Sequence, residues 1–158
     1  MKFNKKITNL IIIAISTIAL SACSTAKKTS SGTGDVYTGN ATVEYLASGV
    51  KDRVFFATNS SSLTTASRDT LRKQADYLRK NKKLNVTIEG HADERGTREY
   101  NLALGERRAN AARDYLMTYG ISGKRISVIS YGKEKPVNPA STPLSWSQNR
   151  RSVTVKVN

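Results

Sequence analysis

The segment EGHADERGTREYNLALGERRA at residues 89–109 places the strongest constraint on how this chain can fold. A strand-like alternation of Leu84, Val86 and Ile88 stops at Gly90, and a helix-like pattern begins a few residues later. One His, two acids and an Arg lie between the two patterns, and charged groups at such a turn are costly to desolvate unless they are paired or bind a partner. We therefore predict that the functional site lies at this strand-to-helix junction.

Hydrophobic patterns along the rest of the chain predict strands that alternate with helices. Leu71, Ala75 and Leu78 have the i, i+4, i+7 spacing of an amphipathic helix, with Thr64 or Thr65 as the candidate N-cap. The predicted set comprises strands at residues 51–57, 84–88, 126–131 and 151–157, a first helix that ends near residue 81, a second helix at residues 98–119, and one helical turn at residues 144–149 as an open alternative to a loop. We predict an α+β fold, in which a mixed four-stranded sheet carries two main helices on one face.

The second predicted helix carries both core residues and candidate site residues. At about 100° per residue, one face collects the predicted core stripe of Leu102, Gly105, Ala109, Ala112 and Leu116. Gly in a helix interior costs about 1 kcal/mol relative to Ala, so we expect close packing against Gly105. The edge of this stripe holds Thr97, Asn101 and Arg108, with Leu104 just beyond. We expect Arg108 to be semi-buried and Arg107 to point to solvent.

Asp93 precedes this helix, near the end where the helix dipole favours a carboxylate. Asp93 and Arg108 can therefore flank one shallow site that carries both signs of charge. The alternative is structural: a salt bridge between the two residues, or an Asp cap and a separate surface Arg, because ion-pair networks also occupy such positions. The residue pattern alone leaves both interpretations open.

The first 42 residues have the composition of an export signal followed by a tether. Three lysines precede an apolar run at residues 7–20, which is typical of a secretory signal peptide and short for a transmembrane helix of about 20 apolar residues. An uncleaved anchor is the alternative. Leu20-Ser21-Ala22-Cys23 resembles the lipobox of bacterial lipoprotein precursors, which implies that residues 1–22 are removed and that Cys23 is lipidated. Residues 23–42, rich in Ser, Thr and Gly, are predicted to be a flexible tether, which leaves residues 43–158 as the folded domain.

The formal net charge is +14, from 26 Lys and Arg against 12 Asp and Glu, and it favours an anionic partner. The basic residues are scattered without a recognised nucleic-acid motif, so we predict no nucleic-acid partner. His91 is the only His, and a single His with no Cys nearby is a poor zinc set. We therefore expect no metal and no cofactor, predict that His91 makes local hydrogen bonds in a turn, and interpret Trp146 as a packing or loop anchor.

Four spaced motifs, in chain order, carry a family resemblance. They are Gly90-His91-Ala92-Asp93, Asn101-x-x-Leu104-Gly105-x-x-Arg108-Ala109, Tyr131-Gly132-x-x-x-Pro136 and Asn149-Arg150-Arg151. Together they resemble the OmpA-like peptidoglycan-binding domain over about residues 43–158. The resemblance implies a non-catalytic module that recognises the diaminopimelate residue of the peptidoglycan stem peptide.

The resemblance also implies a role for each candidate residue. Diaminopimelate presents an ammonium and a carboxylate on one carbon, so Asp93 would hold the ammonium and Arg108 the carboxylate. The remaining pocket residues would be Thr97, Asn101 and Leu104, with backbone contacts from the loop around Thr58 and Asn59. Family members often carry Asp where this chain has Asn59. That change removes a negative charge near the ligand, but it leaves backbone contacts intact.

The longer match EGHADERGT…EYN…LGERRAN with SYGKEKP resembles the lipoprotein members of the family. It implies a lipid anchor in the outer membrane, which Ser24 after the Cys also indicates where the enterobacterial sorting rule applies. It further implies a domain that faces the periplasm, TolB as a partner, and a role in envelope integrity and cell division. The alternative is a peptidoglycan hydrolase or amidase, which would need a nucleophile–base pair or a metal set.

Overall fold

A computed structural model of the protein describes residues 45–157. The predicted signal peptide, the lipidation site Cys23, the tether and the outermost residues of the predicted domain lie outside the described residues. The elements are β1 (Tyr45–Ala47), β2 (Val50–Lys51), β3 (Arg53–Phe55), α1 (Thr65–Lys80), β4 (Asn85–His91), α2 (Arg98–Thr118), a 3₁₀ turn (Gly123–Arg125), β5 (Ile126–Gly132), α3 (Pro143–Asn149) and β6 (Arg151–Val157). Among these described helices, none combines the length and the apolar character needed to cross a bilayer.

The main sheet has four strands in the order β3-β6-β4-β5. β4 and β5 pair in parallel and are connected through α2, whereas β6 is antiparallel to both β3 and β4. β1 and β2 form a separate two-stranded hairpin. The predicted mixed four-stranded sheet is confirmed.

Both main helices pack on one face of this sheet, as predicted. The core joins alternate residues of the strands to the apolar stripes of the helices, and it comprises Val54, Phe56, Leu71, Ala75, Leu78, Val86, Ile88, Ala109, Ala112, Leu116, Ile121 and Ile126. A polar contact on the same face ties α1 to β6, because the Thr154 hydroxyl donates to Gln74 Oε1 at 2.8 Å. Thr64 is the N-cap of α1, since its Oγ1 accepts a hydrogen bond from the Ser67 amide.

The buried face of α2 differs from the predicted one. Leu102 is 49% exposed, whereas Leu104 is 5% and Arg108 is 0% exposed. The cause is the closest approach between α2 and β4, where Gly105 faces Gly90: a Cβ on Gly105 would lie 2.9 Å from the Gly90 carbonyl oxygen. This contact fixes the rotation of α2 and turns Leu102 outward. The predicted close packing at Gly105 is confirmed, and the predictions of a core Leu102 and a semi-buried Arg108 were wrong.

The segment predicted as one strand at residues 51–57 is interrupted at Asp52. Gly49 has a φ of 74°, a left-handed conformation that suits the turn between β1 and β2. The Asp52 carbonyl accepts a hydrogen bond from the Thr154 amide, and its carboxylate pairs with Arg53 at 2.8 Å. The chain therefore enters the main sheet only at β3, and β3 leads directly into the loop that borders the candidate site.

A candidate pocket at the strand-to-helix junction

A pocket of about 290 Å³ lies beyond the C-terminal end of β4. Its walls come from the loop after β3, the loop between β4 and α2, and the first turns of α2. The lining residues are Thr58, Asn59, Asp93, Arg95, Gly96, Tyr100, Asn101, Leu104 and Arg108. The structure thus brings together six of the seven residues predicted from the sequence, and Thr97 follows Gly96 at the border of the pocket.

Arg108 is held beneath the pocket by backbone carbonyls. Its Nε donates to Ser60 O at 2.8 Å, Nη1 to His91 O at 2.9 Å and Nη2 to Ala57 O at 3.0 Å. Burial lowers the pKa of Arg108 to about 10, while the nearby Asp93 carboxylate opposes that shift, so the side chain is charged at neutral pH. A buried charge with three fixed partners provides a rigid cationic centre.

Asp93 faces the same pocket but pairs with other arginines. Its Oδ2 accepts from Arg95 Nη2 at 2.7 Å and from Arg150 Nη1 at 3.4 Å, and its Oδ1 accepts from the Arg95 amide. Burial raises the pKa of Asp93, but the hydrogen bonds from Arg95 outweigh burial and hold this pKa below its ordinary value. Among the described residues, the ion pairs of Asp93 are with Arg95 and Arg150 and not with Arg108. The direct Asp93–Arg108 salt bridge, which was one structural alternative, is therefore not formed.

A second set of contacts holds Arg95 and its loop in place. The Arg95 guanidinium lies 4.3 Å from the centre of the Trp146 ring, and Trp146 Nε1 donates to Glu94 Oε1 at 2.8 Å. Hydrogen bonds from Trp146 and Ser141 hold the pKa of Glu94 below its usual range. Trp146 is thus a loop anchor, as the sequence predicted.

Two side chains reach across the pocket to the loop after β3. Arg95 Nη2 lies 3.4 Å from Thr58 Oγ1, and the Tyr100 hydroxyl donates to Asn59 Oδ1. Asn59 has a φ of 52°, a left-handed conformation that Asn tolerates better than most residues do. Asn59 therefore keeps a side-chain role as an acceptor, although it lacks the charge of the Asp that is usual in the family.

Asn101 and Thr97 shape the pocket through the backbone. Asn101 Nδ2 donates to Arg95 O at 2.9 Å, which fixes the loop that carries Asp93. Thr97 is the N-cap of α2, because its Oγ1 accepts from the Tyr100 amide at 3.2 Å. These contacts commit the Thr97 hydroxyl to the helix end, so its predicted contact with a ligand remains a prediction.

His91 occupies a different place from the one predicted. It ends β4, is 1% exposed, and stacks on Tyr131 with 5.6 Å between ring centres. Neither ring nitrogen has a hydrogen-bond partner in the described part of the chain, so the predicted local hydrogen bonds are absent there. Burial, helped by the positive charges of Arg151, Lys135 and Arg53, lowers the pKa of His91 to about 3. A buried, neutral ring that does not line the pocket is poorly placed to act as a catalytic base there.

Sequence reasoning gave no role to Arg95, Tyr100 or Arg150. Arg150 is 3% exposed and donates to Phe56 O as well as to Asp93. A signal for Arg150 was present, because it follows Asn149 in one of the four motifs. No periodicity, however, places the end of α3 beside the end of β4.

The model of the OmpA family matches residues 55–150 of this chain, which include every lining residue of the pocket. The chain belongs to the OmpA family. One relative, the peptidoglycan-associated lipoprotein of Rhizobium meliloti strain 1021, is 46% identical over 153 residues, covering 92% of this chain and 86% of the relative. The peptidoglycan-associated lipoprotein of Pasteurella multocida strain Pm70 is 35% identical over 152 residues, covering 94% and 97%. The similarity to these lipoproteins therefore extends beyond the family-matched region to most of both chains.

Two solved structures illustrate how widely this fold is shared. The peptidoglycan-associated lipoprotein from Burkholderia pseudomallei superposes with a TM-score of 0.66 at 40% identity, covering 68% of this chain and 91% of that chain. The C-terminal domain of Helicobacter pylori MotB superposes with a TM-score of 0.63 at 20% identity, a likeness of fold alone. Since the matched region makes up 91% of the Burkholderia chain, the matching domain of that protein folds without further domains.

Proposed function

We propose that this chain binds peptidoglycan non-covalently through the diaminopimelate residue of the stem peptide. The observation that carries the proposal is the pocket itself, where Asp93 and Arg108 lie on one cavity without pairing with each other. Diaminopimelate presents an ammonium and a carboxylate on one carbon, so one acid and one base at a single site match its chemistry. The names of the relatives, peptidoglycan-associated lipoproteins, point to the same polymer.

The ligand ammonium would bind Asp93 by replacing a cation that is already there. Arg95 holds Asp93 Oδ2 at 2.7 Å, and it also contacts Thr58 and the Trp146 ring. An incoming ammonium therefore displaces the Arg95 guanidinium, which keeps its contact with Trp146. The carboxylate of Asp93 is paired both before and after this exchange, so binding does not require the desolvation of a bare charge.

The ligand carboxylate would bind the guanidinium of Arg108. An arginine has five N–H groups, and three of those in Arg108 are used by Ser60, His91 and Ala57. The remaining two, one on each terminal nitrogen, can meet a carboxylate in a bidentate arrangement. Tyr100 and Asn59 bridge the pocket next to Arg108, so their contact opens when the ligand enters.

We further propose that lipidated Cys23 anchors the chain in the outer membrane, with the domain in the periplasm and the tether between them. Support comes from the lipobox Leu20-Ser21-Ala22-Cys23 and from relatives that are named lipoproteins. The protein would then link the outer membrane to the wall as part of the Tol–Pal system, with TolB as a partner, in envelope integrity and cell division. That role rests on the family resemblance.

Co-sedimentation with purified wall tests the proposal. The fragment from Ser24 onward should sediment with diaminopimelate-type peptidoglycan, and free diaminopimelate should compete. The Asp93→Asn variant keeps the shape of the side chain and loses its charge, so we expect its affinity to fall about 10- to 100-fold, as for the loss of a charged hydrogen bond. A wall with lysine in place of diaminopimelate lacks the second carboxylate and should bind as weakly as the variant does.

Asp52→Asn is the matched control. Asp52 is also buried and paired with an arginine, Arg53, but it lies outside the pocket. Both variants should lose similar stability in thermal unfolding, and only Asp93→Asn should lose wall binding. Equal binding by Asp93→Asn and the parent would contradict the proposed site. Arg108→Ala is a poorer probe, because it leaves three carbonyl groups without their donor.

A further inference from the structure

Two loops meet at the end of the domain opposite the pocket. β4 and β5 are parallel and both begin there, whereas the pocket lies beyond the C-terminal end of β4. The seven residues of β4, at about 3.3 Å each, separate the two ends by roughly 20 Å. Arg125 joins the loops, because its Nε donates to Leu84 O at 3.0 Å and its Nη2 donates to Asn81 O at 2.8 Å.

These joined loops carry four exposed lysines: Lys80, Lys82, Lys83 and Lys124, which we call the basic tip. The sequence has no Asp or Glu at residues 77–88 or 115–133, so neither loop supplies an acid of its own. In the part of the chain that the structure describes, no ammonium group of the basic tip is paired with a carboxylate. The basic tip is therefore a concentrated positive charge at one end of the domain.

The fold does not explain this cluster. Lys80 lies in the last turn of α1, where a cation complements the helix dipole. Lys82 and Lys83 lie in the loop after α1, and Lys124 lies in the short 3₁₀ turn. None of these three side chains makes a hydrogen bond within the described residues. Like charges held close together repel one another, so the arrangement costs stability unless an anionic partner screens it.

We propose that the basic tip docks on a membrane surface that carries anionic phospholipid headgroups. Lysine ammonium groups act as mobile point charges, which suits phosphates that diffuse in a plane. The exposed Met117 lies against Gly123 beside Lys124 and adds an apolar group that can enter the interface. A membrane bound at this end leaves the pocket facing away from the lipid. This inference does not depend on the proposed binding of peptidoglycan.

Vesicle co-sedimentation of residues 43–158, which lack the leader and the tether, tests the inference. The vesicles are made of phosphatidylglycerol and phosphatidylcholine in equal parts, or of phosphatidylcholine alone. The parent should bind the anionic vesicles only, and added salt should weaken that binding. Changing all four lysines of the basic tip to Gln should reduce the affinity at least about tenfold, since each lysine near an anionic surface contributes to binding.

A control variant removes four exposed positive charges elsewhere: Lys51, Lys73, Arg98 and Arg107, each changed to Gln. It has the same net charge as the tip variant, so binding close to that of the parent would assign the effect to the tip. The proposal is overturned if the parent ignores anionic vesicles, if the tip variant binds as the parent does, or if the control loses as much. Loss of wall binding in the tip variant, with vesicle binding unchanged, would assign the tip to the wall polymer instead.

Discussion

At the level of a single residue, Arg108 both holds two parts of the fold together and lines the candidate pocket. It is wholly buried, and its guanidinium joins the loop after β3 to the end of β4 through three carbonyl groups. The sequence indicated that Arg108 faces the site, because its position on the helix follows from the helical period. Its partners could not be predicted, since they are backbone atoms of residues 17 to 51 positions away along the chain.

His91 should make the stability of the domain depend on pH. Its pKa of about 3 in the folded state lies below the 6.5 of the unfolded chain, so acid protonates the unfolded state first. The free energy of unfolding should therefore fall as the pH decreases from about 6.5 toward 3, by about 2 to 3 kcal/mol on reaching pH 4.5. Urea unfolding at several pH values measures this loss.

The His91→Phe variant isolates this effect from the titration of carboxylates such as Asp93. Phe retains a ring that can stack on Tyr131 and removes two buried nitrogens that lack hydrogen-bond partners, of which Nε2 lies 3.6 Å from Glu89 Oε2. Its stability should be equal to or above that of the parent near neutral pH and should decline less in acid. Parallel pH profiles for the two proteins would show that His91 does not titrate as inferred.

At the level of elements, the contact between α2 and β4 determines where the site forms. The higher helix propensity of Ala should make Gly105→Ala more stable by about 1 kcal/mol. The added Cβ, however, would clash with the Ser130 hydroxyl and the Gly90 carbonyl oxygen. We expect a net loss of at least about 2 kcal/mol in the free energy of unfolding, together with weaker wall binding, because α2 carries Asn101 and Arg108. Chemical denaturation and wall co-sedimentation measure the two effects.

Ala103→Gly provides the comparison for that variant. Ala103 is exposed on the same helix, so this change should lower the free energy of unfolding only by the helix-propensity difference of about 1 kcal/mol. Wall binding should be unchanged. If Gly105→Ala is as stable as the parent, the close approach of α2 to β4 does not constrain the fold.

The principal elements could be predicted because their periodicity is local. β6 has the predicted bounds, and α2 ends one residue from its predicted limit. The β1–β2 hairpin escaped prediction, because strands of two and three residues are too short to display a period. The exposure of Leu102 could not be predicted either. A helical wheel gives only the angles between side chains, and the contact at Gly105 determines how α2 is rotated against the sheet. At the pocket, the positions of Asp93 and Arg108 were predicted from the start and the period of the second helix together with the family motifs, whereas the counter-ions Arg95 and Arg150 required the folded structure.

On the scale of the whole molecule, the pocket and the basic tip lie at opposite ends of β4. Sites separated by more than about 10 Å usually contribute additively. We therefore expect a combined variant, with Asp93→Asn and the four lysine changes, to lose wall binding as Asp93→Asn does alone and vesicle binding as the tip variant does alone. Affinities from the two sedimentation assays test this, and a combined loss that differs from the sum would show that the two ends are coupled.

β3 would bear the load if the chain were pulled from its N-terminus while the pocket was held by a ligand. β3 is an edge strand that pairs with β6 through three residue pairs, and it continues directly into the loop that borders the pocket. Arg108 fastens that loop to α2 through Ala57 O and Ser60 O. Tension would therefore pass from the N-terminus to the pocket along a short path through β3 and the loop that follows it. Under that load, the buried Arg108 guanidinium would carry force between the loop after β3 and α2.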